Sequence, residues 1–309
     1  MSVFTSVLNQ TAFLIGLIVI GYILAKRKII PENSAAVLSK LENSLFIPAL
    51  VMGTFINNFT FERISGAKEE FVVSFIIAFV AIPFAILCSR LLSKDGYIRR
   101  IYTYGLSFSN FGFMGNAVVS SLFPDIFFDY LIFTIPLWIL IYIWGVPVLL
   151  MADSDKKQTM SERLRAFVNP MFIAMFIGMI IGVSGINPPN FMVSVIKVSG
   201  DCMSPIAMLL TGIVVSSLSL KKAFSGIRTY AVSIVRLLVM PLIFIGISGF
   251  FNLSETAYIC AVCSLAMPLG LNTIVIPSGL GKDTTEAASM ALISHLLSCI
   301  TIPLVFSLV

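Results

Sequence analysis

Asparagines, glycines and a proline stand where membrane-crossing helices ought to be uniformly apolar. Ser109-Asn110-Phe111-Gly112-Phe113-Met114-Gly115-Asn116 interrupts one apolar run, and Ala266-Met267-Pro268-Leu269-Gly270-Leu271-Asn272 interrupts another. Glycine costs a helix interior about 1 kcal/mol relative to alanine, proline costs about 3, and asparagine competes for backbone hydrogen bonds. In hydrocarbon, unwound backbone survives only where protein covers it or a wet cavity lines it. A polar break in such a run therefore marks a ligand site. A simple kink, satisfied by neighbouring Ser or Thr, accounts for either break alone but not for two at matching places.

The chemistry follows from the broken ends. A half-helix that begins at a break presents free N–H groups and a charge of about +0.5; one that ends there presents carbonyls and about −0.5. Two beginnings aimed at one point suit a carboxylate or another small anion. Asn110, Asn116 and Asn272 donate and accept, so they orient such a guest without burying a permanent charge. Gly112, Gly115, Pro268 and Gly270 shape the breaks themselves.

Other ionisable residues at membrane depth have competing roles. Arg236 lies about two turns inside its helix, and the preferred reading is that its long stem snorkels to the cytoplasmic edge; the alternative is that it reaches the break and neutralises an anion. Lys197 and Asp201 have i,i+4 spacing and read as an internal structural pair, with Lys40 and Glu42 at roughly equivalent places. Asp201 is also a candidate for cation or proton coupling. His295, the only histidine, is a candidate proton relay, although a lone histidine is more often a hydrogen-bonded structural group. Cys260 and Cys263 have C-x-x-C spacing but sit inside an apolar helix, where they read as small packing residues rather than a redox or metal pair.

The elements that position these residues are helices in a bilayer. Of 309 residues, 58% are hydrophobic and 11% charged, and about 20 residues make one crossing. Apolar runs place helices at 4–25, 34–57, 71–92, 98–122, 126–151, 168–186, 190–217, 229–251, 256–280 and 286–308. The fold class is thus an all-α integral membrane protein of ten transmembrane helices. Its first run has basic residues after it (Lys26-Arg27-Lys28) and none before, opposite to a secretory signal, so it reads as helix one.

The most polar stretch, Ala152 to Arg165, divides the chain into residues 1–152, a cytoplasmic linker 153–166, and residues 167–309. Costly residues recur across it at one offset: Pro31 and Pro189, Pro83 and Pro241, Gly112 and Gly270, and Asp125 and Asp283 are each 158 apart, with Pro48 and Pro205 and also Pro147 and Pro303 within two residues of that spacing. Five helices per copy force the second copy to enter from the opposite face, giving two inverted repeats whose broken fourth and ninth helices cross at mid-membrane. Lys and Arg fall 15 to 2 in favour of one side, which places both termini outside the cytoplasm. These basic residues gather at helix ends rather than in one tract, so they are topology signals and not a nucleic-acid surface.

At this resolution of motif the chain resembles the auxin efflux carrier family of membrane permeases, which includes plant PIN auxin exporters and bacterial carriers of malonate and similar acids. The similarity runs through Asn110-Phe111-Gly112-Phe113-Met114-Gly115, then Pro268-Leu269-Gly270-Leu271-Asn272, Pro277-Ser278-Gly279-Leu280-Gly281-Lys282-Asp283, Ser294 and Thr301-Ile302-Pro303. The resemblance implies a scaffold of helices 1, 2, 6 and 7, often a homodimer, and a mobile transport domain of helices 3–5 and 8–10. Asn110, Gly112, Gly115, Pro268, Gly270 and Asn272 would be the crossover residues. Two departures stand out: Asn116-Ala117 where many relatives have proline, and Ser294-His295 where relatives often have Ser-Thr.

The expected function is a secondary transporter, a cell-membrane permease for a small organic anion, working by alternating access. A membrane sensor keeping the same pocket is the alternative, but it needs an output segment longer than the 152–165 loop. An intramembrane enzyme is disfavoured, since neither paired aspartates nor a nucleophile with a neighbouring base stands out. The sequence calls for no cofactor and leaves the coupling ion, proton or sodium, open.

Overall fold

The computed structural model describes residues 3–60, 63, 66–152, 159–165, 168–216, 224, 226–270 and 272–308. Leu271 of the second break, Lys156, Lys157, Lys221 and Lys222 of the charge count, and residues 153–158 and 166 of the 153–166 linker lie outside the described residues.

The described chain is helical apart from connections and one isolated antiparallel bridge. Its helices are α1 (Val3–Lys26), α2 (Ser34–Asn58), α3 (Lys68–Leu92), α4a (Gly96–Ser107) and α4b (Asn116–Leu122), α5 (Pro124–Leu150), α6 (Pro170–Ser184), α7 (Asn190–Ser216), α8 (Ile227–Ser248), α9a (Glu255–Ala266) and α9b (Asn272–Gly279), and α10 (Thr285–Phe306). A short helix, Met160–Arg165, precedes α6. No boundary departs from its apolar run by more than three residues. Of these, α2, α3, α5, α7, α8 and α10 are long and apolar enough to cross a membrane.

Local chemistry explains the ends and the irregularities. Asp95, Asn169 and Ser254 cap α4a, α6 and α9a by accepting backbone N–H groups. π-helical turns precede two buried prolines: Glu42–Phe46 before Pro48 in α2, and Val235–Val239 before Pro241 in α8. A proline clashes with the carbonyl four residues back, and a widened turn gives it room.

Burial is arranged for lipid rather than water. On α3, Phe79 is 83% exposed and Leu91 79% exposed, whereas Ala78, Ala81 and Ala85 face inward. Large apolar side chains turned outward along a whole helix suit a hydrocarbon surround, and small inward residues let helices approach.

Two packing groups result. α1 lies along the second half of α7, α6 along the second half of α2, and the first half of α7 also rests on α2. The approach is close: a Cβ on Gly21 would sit 2.2 Å from the Leu209 carbonyl oxygen, and one on Gly212 would sit 1.9 Å from that of Ile18. In the other group α3 packs on α4a and α5, α8 on α10, and α9a on α3, α5 and α8. The groups touch where α1 meets α10 and α4b, where α7 meets α4b and the break before it, and where α2 meets α5.

Candidate functional site: the crossing of two broken helices

Helix α4a stops at Ser107, a π-helical turn occupies Phe111–Gly115, and α4b resumes at Asn116. Helix α9a stops at Ala266, Met267 is extended (ψ 147°), and α9b resumes at Asn272. The two gaps meet: Ser109 and Leu269 form the antiparallel bridge, and the Asn110 N–H donates to the Pro268 carbonyl at 2.7 Å. Pro268 has no N–H to return. The Asn110 carbonyl accepts instead from Gly115 at 2.9 Å, which starts the next helix. Ser109 Oγ donates to the Ser264 carbonyl at 2.8 Å, and the Leu269 N–H donates to Ser294 Oγ at 3.3 Å.

The three asparagines have different surroundings. Asn110 is buried with Nδ2 3.2 Å from His295 Nε2. Asn272 Nδ2 donates to Tyr104 Oη at 3.0 Å. Asn116 is buried, and its Oδ1 has no hydrogen-bond partner among the described residues. The glycines serve close approach. A Cβ on Gly115 would lie 2.2 Å from Tyr130 Oη, and one on Gly112 would lie 2.6 Å from the Trp138 ring.

Arg236 corrects the sequence expectation that it snorkels to an edge. Its side chain is fully buried, and π-helical winding of α8 surrounds it. Nη1 donates to the Leu106 carbonyl at 2.9 Å, Nη2 to that of Ser264 at 2.9 Å, and Nε to that of Met267 at 3.4 Å. These are the carbonyl ends of α4a and α9a. One guanidinium thus offsets both negative helix termini, where a fixed cation is most favourable. The N–H ends of the following half-helices keep their partial positive charge.

Space at the crossing is small. Tyr104, Ser109, Asn110, Phe111, Gly112, Trp138, Ile141, Gly270 and Asn272 line a cavity of about 20 Å³, room for roughly one water. Two larger hollows lie elsewhere. One of about 690 Å³ runs between α2, α6, α7 and the start of α5; one of about 280 Å³ lies between Ser204 of α7 and Ser120 and Ser121 of α4b. They share Leu50, Pro124, Phe127, Gly200 and Asp201 as lining.

Lys197, Asp201, Glu42, Cys260 and Cys263 fall outside the lining of the crossing cavity. Lys197 and Asp201 pair at 2.9 Å, but with side chains 73% and 62% exposed rather than internal. Glu42, at a roughly equivalent place in the first half, has a different setting: it is fully buried in the π turn of α2, and both carboxylate oxygens lack a partner among the described residues. Cys260 and Cys263 are free thiols buried in α9a. Among the described residues no group of His, Cys, Asp and Glu side chains is arranged to hold a metal ion.

Tyr104 went unnoticed in the sequence, and nothing local would have found it. Its partner Asn272 is 168 residues away.

A comparison with curated proteins finds no match. The profile of a membrane transport family, described as "Membrane transport protein", matches residues 6–306, nearly the whole chain. With its interrupted helices meeting at a polar crossing and its apolar exterior, the chain belongs to this auxin efflux carrier-type family of membrane transporters.

Proposed function

We propose that the protein is a secondary transporter that moves a small organic anion, a carboxylate, by alternating access, and that the anion binds at the crossing of α4 and α9. Asn110, Asn116 and Asn272 orient it, and the half-helix N-termini after Gly112, Gly115, Pro268 and Gly270 supply the positive field. The observation that carries this reading is the division of labour at the breaks: Arg236 holds the carbonyl ends of α4a and α9a, leaving the opposite ends for a guest. With about 20 Å³ at the crossing, a carboxylate enters only when the two packing groups shift. The hollows beside Ser120, Ser121 and Asp201 are then the approach on one side.

The same reading takes α1–α5 and α6–α10 as inverted repeats that make ten crossings. In its support, Gly21 abuts Leu209 and Gly178 abuts Met52, two contacts related by a 157-residue exchange between the copies. The group of α1, α2, α6 and α7 is the scaffold and the other group the transport domain. On this reading both termini lie outside the cytoplasm, in keeping with the charge bias. Outward apolar residues on α2 and α7, among them Val37, Leu45, Phe191 and Val198, fit a homodimer through the scaffold. The partners are the bilayer and the anion, with no cofactor.

The test is a thermal-shift panel of mono- and dicarboxylates on purified protein, with and without sodium, followed by binding measurements on Asn110→Ala and Asn272→Ala. Both variants are expected to lose binding while staying folded. Wild-type affinity in both would remove the anion from the crossing.

A further inference from the structure

His295 sits in the middle of α10, buried, with both ring nitrogens engaged. Nδ1 is 2.8 Å from the Ala291 carbonyl oxygen. A carbonyl only accepts, so Nδ1 carries a proton. In the neutral ring Nε2 is then a bare acceptor, and the Asn110 Nδ2 at 3.2 Å is its donor. The carboxamide has its two hydrogen-bonding arms on opposite sides, so turning NH₂ toward the ring turns Oδ1 away from it. Asn110 also lines the small cavity at the crossing. With the anion at the crossing, an oxygen turned toward it would repel a carboxylate.

We propose that His295 is a proton-binding site of the carrier and that its charge state decides which end of the Asn110 carboxamide meets the anion. A proton from the aqueous phase adds to the Nε2 lone pair, making an imidazolium that donates from both nitrogens. Nε2–H and the Asn110 NH₂ cannot face each other as two donors. The carboxamide rotates by half a turn, Oδ1 accepts from Nε2–H, and NH₂ is freed to donate to the carboxylate. The imidazolium charge beside the site adds to the attraction. Release of the proton reverses each step, so one proton and one carboxylate charge favour each other's binding. This rests on the crossing being the anion site.

The neighbours leave this role to His295. On helices packed against α10, Arg236 is committed to three carbonyls, Tyr104 to Asn272, and Tyr102 to Glu286 at the start of α10 itself. Lys26 of α1 reaches the Ser216 carbonyl. Tyr22 of α1, Arg228 and Tyr230 of α8, Cys260 and Cys263 of α9a and Cys299 of α10 complete the titratable set along these faces. Tyr97, Arg99, Arg100, Glu255 and Tyr258 lie at the starts of α4a and α9a. Neither ring nitrogen of His295 bonds to any of these; its partners are Ala291 and Asn110.

Because the sequence holds a single histidine, ¹⁵N NMR of protein labelled at His and Asn, carried on a histidine-free tag in lipid nanodiscs, reads this ring alone. The Asn110 side-chain signal is assigned by its loss in Asn110→Ala. At pH 8 the expected ring has its proton on Nδ1. As pH falls it becomes imidazolium, and the Asn110 amide signal moves with the same midpoint. Saturating malonate, used as the probe, raises that midpoint by about one unit, equivalent to about tenfold tighter binding to the protonated protein. In His295→Gln, affinity referred to the free malonate dianion present at each pH is expected to be flat with pH. A proton on Nε2 at pH 8, an Asn110 signal indifferent to the titration, or bound malonate that leaves the midpoint unmoved each overturns the switch. Full malonate binding by Asn110→Ala alone overturns the switch; by Asn272→Ala as well, it instead refutes the crossing as the anion site, with the ring's titration still on record.

Discussion

Arg236 Nη2 and the main-chain oxygen of Ser264 lie 2.9 Å apart, and through this contact α8 holds the end of α9a in place. The same guanidinium reaches Leu106 and Met267, so a single side chain fastens both broken helices. Removing it leaves three carbonyls without a charged donor, each buried polar group costing about 1–3 kcal/mol. Arg236→Ala is expected to lower the thermal midpoint of the detergent-solubilised protein sharply, and Arg236→Lys, with a point charge in place of a fork, to recover only part. An Arg236→Ala variant as stable as wild type would show that the carbonyl ends are satisfied without it.

Gly115 is required by Tyr130. An added methyl meets Tyr130 Oη at 2.2 Å and ring carbon Cζ at 3.3 Å, and that hydroxyl is itself anchored on the Phe111 carbonyl at 3.2 Å. Gly115→Ala is expected to cost about 1–3 kcal/mol by overpacking and to weaken ligand binding by displacing the π turn. Removing the obstructing hydroxyl in Gly115→Ala/Tyr130→Phe should restore part of the stability. Equal loss in single and double variants would place the strain elsewhere.

Both breaks were legible because glycine, proline and asparagine are expensive inside an apolar helix, and that intrinsic cost is read from residue type alone. Helix positions were legible for the same kind of reason, since apolar runs of bilayer length leave little choice of register. What was not legible is where flexible or distant side chains end. Arg236 has a stem long enough for an edge or a centre, and only the carbonyl ends gathered beside it decide for the centre. His295 and Asn110 are 185 residues apart, so no spacing rule connects them. Glu42 and Asp201 share an approximate place in the two halves, yet the π turn at Glu42 gives it a buried setting while Asp201 stays on an exposed face.

The Lys197–Asp201 pair is expected to matter little to stability. Exposed i,i+4 pairs contribute about 0.3–0.5 kcal/mol, and both side chains are mostly exposed. Asp201→Asn should leave the thermal midpoint within experimental scatter and the pH profile of uptake unchanged. A flattened pH profile in Asp201→Asn would move proton coupling from the crossing to the large hollow that Asp201 borders.

Tyr104 is expected to orient Asn272 rather than to hold the fold. Its hydroxyl accepts the Asn272 Nδ2 hydrogen at 3.0 Å and lies against the small cavity of the crossing. Tyr104→Phe keeps the ring, including its packing 5.2 Å from Phe108, and removes only that acceptor. One hydrogen bond is worth about 1 kcal/mol net, so carboxylate affinity should fall by roughly five- to tenfold with a small change in thermal midpoint. In an Asn272→Ala background the Tyr104→Phe change should have no further effect on affinity, because its partner is gone. Additive losses in the double variant would mean that the tyrosine acts on the guest directly and that Asn272 is positioned by α9b alone.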